Sequence, residues 1–361
     1  MSKILFDRFW YNESQLYFTG ECLNYGNLTK EKRIKILDDL IIMMLVHEKI
    51  VIRASTLMDL EKIIGIEALT SLSKDGVIEL IDDSNLQIYS FLGFERALCI
   101  FPSDENILEI IARDFQRKHH GMLKSKYVPE LITTLESNII KVDTDSLIKI
   151  IYGEVKYDLS TFEEKKSDQS PLSSLHGSGI FLRLLAKFNR ALVLQNMTHS
   201  GFISSNEYHR RMLNTKLSPV FRKYSGSVPD ELFKEIISDR GIPMMGKLIF
   251  EGAITFNDIL DIRNDINGKK FRHWIEKEHW DREEIYKKLL SLNTNLSKKI
   301  WMKVIRWAYP TIASFGLGSL IGIGVQVFDS FVLEKLLDKW DPKLFLDSTL
   351  ENKITSIQNE T

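Results

Sequence analysis

Cysteine is almost absent. The chain has two, Cys22 and Cys99, in 361 residues. Two such distant cysteines build no disulfide framework and no CxxC metal pair, so the expectation is a reduced, cytoplasmic setting. The eight histidines form no HExxH and find no cysteine neighbours for zinc. An excess of charge is also missing: 48 Lys and Arg stand against 49 Asp and Glu. No global field therefore attracts a polyanion, and any basic site has to be local. No GxxxxGK[ST] phosphate loop, no GxGxxG following a strand and no GxSxG elbow occurs. The N-terminus has no apolar run of signal-peptide length before charges return at Asp7 and Arg8.

The chain does have ample apolar material, 44% of residues, with 27% charged. That supports sizeable cores and excludes a disordered chain. The expected fold class is mainly α with a small α+β N-terminal module. A multi-helical C-terminal part ends in a glycine-rich apolar hairpin or helix. The expected divisions are 1–95 for the module, 96–170 for a helical segment closing in a polar linker, and 171–361 for a helical domain.

Residues 1–30 are rich in aromatics and read as irregular or short-strand structure. Lys30 to Val46 has Ile34, Leu37, Leu40, Ile41, Met44 and Leu45 at helical spacing. Ile50–Ile52 is a β-branched run suited to a strand. Ser55 caps a helix from Leu57 to Ile64 that Gly65 ends, and Glu67–Ser73 is a second short helix. Val77–Ile81 and Leu86–Phe91 are strands around the turn Asp82–Asn85. This order, helix, helix, strand, turn, strand, resembles winged-helix modules. It is equally the order of small α+β modules that bind nothing.

Further helices are expected from Asp104 to Arg117, capped by Ser103, and over Val128–Ile139, Thr144–Tyr152 and Gly179–Met197. Asp158–Ser174 reads as the linker. Ser204 caps another helix, and helices follow after Pro229 and over Thr255–Arg263, Asp281–Leu292 and Ser297–Trp307. Asn267–Gly268 reads as a turn before a helix over Lys269–Glu278. No fixed-period repeat is present.

One segment stands apart. Trp307 to Phe328 has no charged residue and is long enough for a bilayer crossing of about 20 residues. Ser314, Gly318 and Gly322 recur every four residues, so a helix here carries a small-residue stripe with a GxxxG pair suited to close helix contact in lipid or in an oligomer. Lys298, Lys299, Lys303 and Arg306 precede it and Asp329 follows, a bias that places its N-terminal side in the cytosol. Against this, Pro310 and four glycines, at roughly 1 kcal/mol each relative to alanine, suit a hairpin buried in a water-soluble domain.

Candidate chemistry is sparse. Arg113 and His119 have the RxxxxxH spacing that resembles HEPN-type ribonucleases, in which Arg and His on one helix act on the scissile phosphate, usually across a dimer. The plainer reading is a solvated basic helix end with Arg117, Lys118 and His120. Asp145 with Glu154–Val155–Lys156 resembles the Asp and ExK of restriction-type nucleases, which hold Mg²⁺. That site needs strands, and Asp145 opens a helix. His273 and His279, six residues apart, do not share a helical face. Arg263, Lys269, Lys270, Arg272 and Trp274 form a polar and aromatic cluster that either binds nucleic acid or serves as an interdomain network. The candidate winged segment has no basic recognition helix, since Asp59, Glu61 and Lys62 lie on it.

No metal or cofactor is implied. The expected function is a non-enzymatic interaction or regulatory protein acting through helical surfaces, whose partner is another protein or a second copy of itself. The alternatives are a membrane-active effector of toxin or defence type that inserts 307–328, and a ribonuclease using Arg113 and His119.

Overall fold

In the computed structural model the described residues are 3–6, 29–91, 97–164, 179–200, 202–204, 234, 243–277 and 344–360. They are mostly helical, with a small parallel sheet whose strands come chiefly from the N-terminal part. The chain divides into two compact units. A sheet unit comprises Ser2–Leu37 and His47–Met212, and a helical unit comprises Asp38–Val46 and Leu213–Thr361.

The sheet unit is built on strands with near-continuous apolar runs. Strand β1 (Lys3–Phe6), β2 (Lys49–Arg53) and β3 (Ile78–Asp82) bury Ile4, Leu5, Phe6, Ile50, Val51, Ile52, Ile78, Leu80 and Ile81. Runs of that kind, rather than strict alternation, mark strands covered on both faces, the usual condition of a parallel sheet. Each such side chain contributes about 1.5–3 kcal/mol on full burial. The first helix, α1 (Lys30–Val46), joins β1 to β2 in sequence, and α2 (Ala54–Lys74) joins β2 to β3. Two short strands complete the sheet, β6 (Ile139–Lys141) and β7 (Phe202–Ser204), in the order β6-β3-β2-β1-β7 with every pairing parallel. Register sets Phe6 beside Ile52 and Ser204, and Arg53 beside Ile81.

The excursion between β3 and β6 holds an antiparallel ribbon, β4 (Gln87–Phe91) with β5 (Ala97–Phe101), then α3 (Ile107–His119) and α4 (Tyr127–Ser137). Asn106 caps α3, its side-chain oxygen accepting from the Leu108 N–H at 2.8 Å. Helices α5 (Thr144–Glu164) and α6 (Gly179–Met197) pack on each other, and α6 also packs on β4.

The small N-terminal sheet is therefore present, but it is parallel and draws β6 and β7 from beyond residue 95. The winged-helix order is not realised. Val77–Ile81 and Leu86–Phe91 do not pair with each other; the first joins the parallel sheet and the second takes β5 as its partner. The expected break at Gly65 is present: its φ of 82° and ψ of 160° are not helical, so α2 is two helical pieces joined across a kink there. The helix expected to end at Tyr152 continues to Glu164, so the first part of the expected linker is helical.

In the helical unit, α7 (Met245–Phe250) precedes α8 (Phe256–Asn264). Thr255 and Asp258 form a capping box at the start of α8, which satisfies two otherwise orphaned N–H groups. Asn267–Gly268 is not a turn: Asp265 accepts from the Asn267 N–H at 2.8 Å and starts α9 (Ile266–Lys277) there. Phe271 stacks on Phe345 at 4.6 Å between ring centres, tying α9 to a π-helical stretch, Leu344–Glu351, that leads into α10 (Asn352–Glu360).

Candidate functional site

Open α/β sheets place ligands beyond the carboxyl ends of their strands, where strand order reverses. Here the chain moves from β1 through β2 and β3 to β6 on one side and sets β7 on the other. The reversal lies between β1 and β7, whose last residues are Phe6 and Ser204. Residues 7–28 and 205–233, which follow those strands, lie outside the described ones.

The neighbouring strand ends carry a buried polar group that composition alone did not reveal. Arg53 ends β2, and its Nε donates to Asp83 Oδ2 at 2.6 Å. Its Nη2 donates to the Leu86 carbonyl at 3.1 Å. Arg190 of α6 also reaches the Leu86 carbonyl, at 3.5 Å. All three charged side chains are buried. Asp83 Oδ1 has no hydrogen-bond partner among the described residues. Nearby in sequence to Arg190, Asn189 donates to buried Asp158 at 2.7 Å. Arginine tolerates burial because its planar fork satisfies several acceptors at once, and here it joins β2 to the loop after β3.

The second polar cluster sits where α2 meets α3. His119 Nε2 and Glu61 Oε1 are 2.9 Å apart and both side chains are buried. Lys118 lies 3.7 Å from the other Glu61 oxygen and 2.6 Å from Asp114. The other ring nitrogen, Nδ1, is buried with no hydrogen-bond partner among the described residues. A carboxylate orienting an imidazole is the arrangement that tunes a general base, but a base must reach its substrate. The pair as built clasps two helices.

Arg113 is not part of this cluster. It is exposed and donates to Glu105 at 2.6 Å. That carboxylate raises the guanidinium further above its usual range, through the hydrogen bond first and the charge second. Six residues along a helix turn a side chain about 120° away from its starting face, so Arg113 points to solvent while His119 points inward. Within one chain the structure does not bring the two together.

The α3–α4 connection contrasts with these inward pairs. His120 to Lys126 are seven consecutive exposed residues. Gly121, at φ 70°, reverses the chain, and Met122 and Leu123 stand outward at 55% and 93% exposure.

In the helical unit, the cluster of Arg263, Lys269, Lys270, Arg272 and Trp274 is largely interior. Arg263 donates to the Met44 carbonyl and Arg272 to the Arg263 carbonyl at 2.7 Å, so both guanidinia serve helix ends. Trp274 is buried against Phe271, at 6.0 Å between centres. Lys269 is exposed and Lys270 half-buried. Ser314, Gly318 and Gly322 lie outside the described residues. Asp145 and Glu154–Lys156 all lie on α5, not on strands.

Among the described residues, no group of three or more His, Cys, Asp or Glu is placed to hold a metal, and no helix is long and apolar enough to cross a membrane. No protein-family model, curated protein or solved structure matches the chain. Sequence reasoning passed over Arg53 and Asp83, which are 30 residues apart and carry no motif. It also passed over the Met122–Leu123 tip, although the acid-free basic sequence around it was visible.

Proposed function

We propose that the chain is a non-enzymatic protein that works by binding other proteins through the outer surface of its sheet unit. The supporting observation is a contrast. The polar side chains with chemical potential, Arg53, Asp83, Glu61 and His119, are buried in pairs with one another. Large apolar side chains face out instead, Phe101 at 51% and Tyr157 at 60% exposure. Exposed aromatic side chains are the usual anchors of protein interfaces, since they bury much area at little entropic cost. Tyr152 holds the two elements that carry them together: its hydroxyl donates to the Leu98 carbonyl and accepts from the Ile100 N–H, joining α5 to β5.

The test is capture of the full chain from the cells that make it, beside a Phe101→Asp/Tyr157→Asp variant. One near-stoichiometric protein that the variant loses is the expected result. A wild-type chain that stays alone and monomeric overturns the reading.

A membrane-active effector is the second reading. It rests on the uncharged stretch from Trp307 to Phe328 with its Ser314, Gly318 and Gly322 spacing. Gly318→Leu with Gly322→Leu then abolishes vesicle leakage, and unchanged leakage removes that mechanism.

A further inference from the structure

The turn between α3 and α4 combines two properties. The first is exposed aliphatic bulk on a defined backbone. Met122 N–H donates to the His119 carbonyl and Ser125 N–H to the Met122 carbonyl, both at 3.0 Å, and a 3₁₀ turn, Leu123–Lys126, runs directly into α4. Leu123, at 93% exposure, is therefore held outward by a built turn.

The second property is local charge. The chain as a whole is balanced, yet residues 115–129 contain Arg117, Lys118, Lys124 and Lys126, with His119 and His120, and no acid. The flanking acids are already engaged. Asp114 pairs with Lys118 at 2.6 Å and Arg117 at 3.3 Å, and Glu130 pairs with Lys74. The tip itself thus presents His120, Lys124 and Lys126 around two aliphatic side chains.

We propose that this turn anchors the protein to an anionic membrane surface, with Met122 and Leu123 entering the headgroup boundary and Lys124 and Lys126 meeting lipid phosphates. Aliphatic side chains gain by leaving water for the acyl boundary, and each nearby lysine is attracted to the negative leaflet. The lysine stems lie along the apolar surface while their ammonium groups stay at headgroup level. Single-stranded nucleic acid fits less well. It is held by stacking aromatics, and the one aromatic at the tip, Tyr127, has Lys126 over its ring at 4.9 Å. An acidic protein would use the charges but gives no role to a leucine that stands 93% exposed. This inference is independent of the protein-binding surface at Phe101 and Tyr157.

The experiment is flotation of the full chain with phosphatidylserine-containing vesicles and with neutral phosphatidylcholine vesicles. Wild type, Met122→Ser/Leu123→Ser and Lys124→Gln/Lys126→Gln are compared, with melting curves to show that each pair leaves the fold intact. Wild type floats with anionic vesicles only, and less at high salt. The serine pair loses binding. The glutamine pair reduces partitioning by roughly 30-fold, on the order of fivefold for each lysine. The proposal is overturned if wild type stays unbound, if the serine pair binds as wild type does, or if binding is equal on neutral vesicles and indifferent to both pairs. The last result would assign attachment to another segment, and Gly318→Leu with Gly322→Leu would then locate it.

Discussion

Glu61 and His119 meet across α2 and α3 through a 2.9 Å contact between Oε1 and Nε2, with both side chains buried. Removing the imidazole takes a hydrogen-bond partner from a buried carboxylate and leaves Lys118 3.7 Å away. His119→Ala therefore destabilises the sheet unit by about 1–3 kcal/mol. Arg113→Ala leaves stability essentially unchanged, because its ion pair with Glu105 is exposed to solvent. Denaturant midpoints for the two variants check this, and a parallel RNA-cleavage assay decides the remaining chemistry. Cleavage abolished by both substitutions would require the two residues to meet across a dimer.

A stronger effect is expected at the strand ends. Asp83→Ala strips Arg53 of its carboxylate while leaving the guanidinium buried, and loss of one member of such a pair costs about 3–5 kcal/mol. Replacing both, as Arg53→Met with Asp83→Leu, recovers much of that loss, since neither member of the pair is then left buried without the other. Hydrogen exchange at β2 and β3 reports the change inside the sheet unit. Equal losses in the single and double variants would show that the ion pair contributes a favourable interaction that apolar packing does not replace.

The readable parts of this fold were the ones with local cause. The spacing of Leu37, Leu40, Ile41 and Met44 marks α1, the β-branched Ile50–Ile52 marks β2, and both form as expected. What escaped was pairing at a distance. Ile139 reads as the end of a helix begun at Val128, but Asn138 closes α4, and Ile139–Lys141 pairs with β3, Leu80 beside Ile139. Phe202–Ser204 is three residues long and becomes a strand because β1 offers it an edge. The candidate sites divide the same way. The basic residues around Met122 were legible one by one, whereas the clasp between Glu61 and His119 required α2 and α3 to be brought together.

Asp38 supplies a pH-dependent expectation for the helical unit. Burial holds its carboxyl above the ordinary aspartate value of 3.8; the Gly246 N–H, which donates to it, and Lys234 oppose that rise, while Asp39 adds to it. A raised folded value means that the folded chain binds the proton more tightly than the unfolded chain. Stability then falls as pH climbs from about 3.8 through the raised value, and the loss is complete above it. Asp38→Asn keeps an acceptor for the Gly246 N–H and removes the charge. The variant melts higher than wild type at neutral pH, and the gap narrows toward pH values below the ordinary range. A gap independent of pH would assign the effect to packing.

Gly268 is the third residue of α9 and lies against the backbone at the end of α8. A Cβ added there would stand 2.5 Å from the Ile262 carbonyl oxygen and 2.6 Å from that of Arg263. Those atoms belong to backbone and do not swing away like a side-chain tip. The Arg263 carbonyl is also engaged, since Arg272 donates to it at 2.7 Å. Gly268→Ala must then separate α9 from α8 and disturb that bond, at a cost of about 1–3 kcal/mol by analogy with overpacked cores. The loss exceeds anything expected from helix propensity, because alanine in a helix interior normally gains roughly 1 kcal/mol over glycine. Thermal melting of the full chain, followed by the fluorescence of Trp274 against a Trp274→Phe reference, measures it. A variant that melts at or above the wild-type temperature would show that the two helices part freely, and that the close approach at Gly268 does not hold the helical unit together.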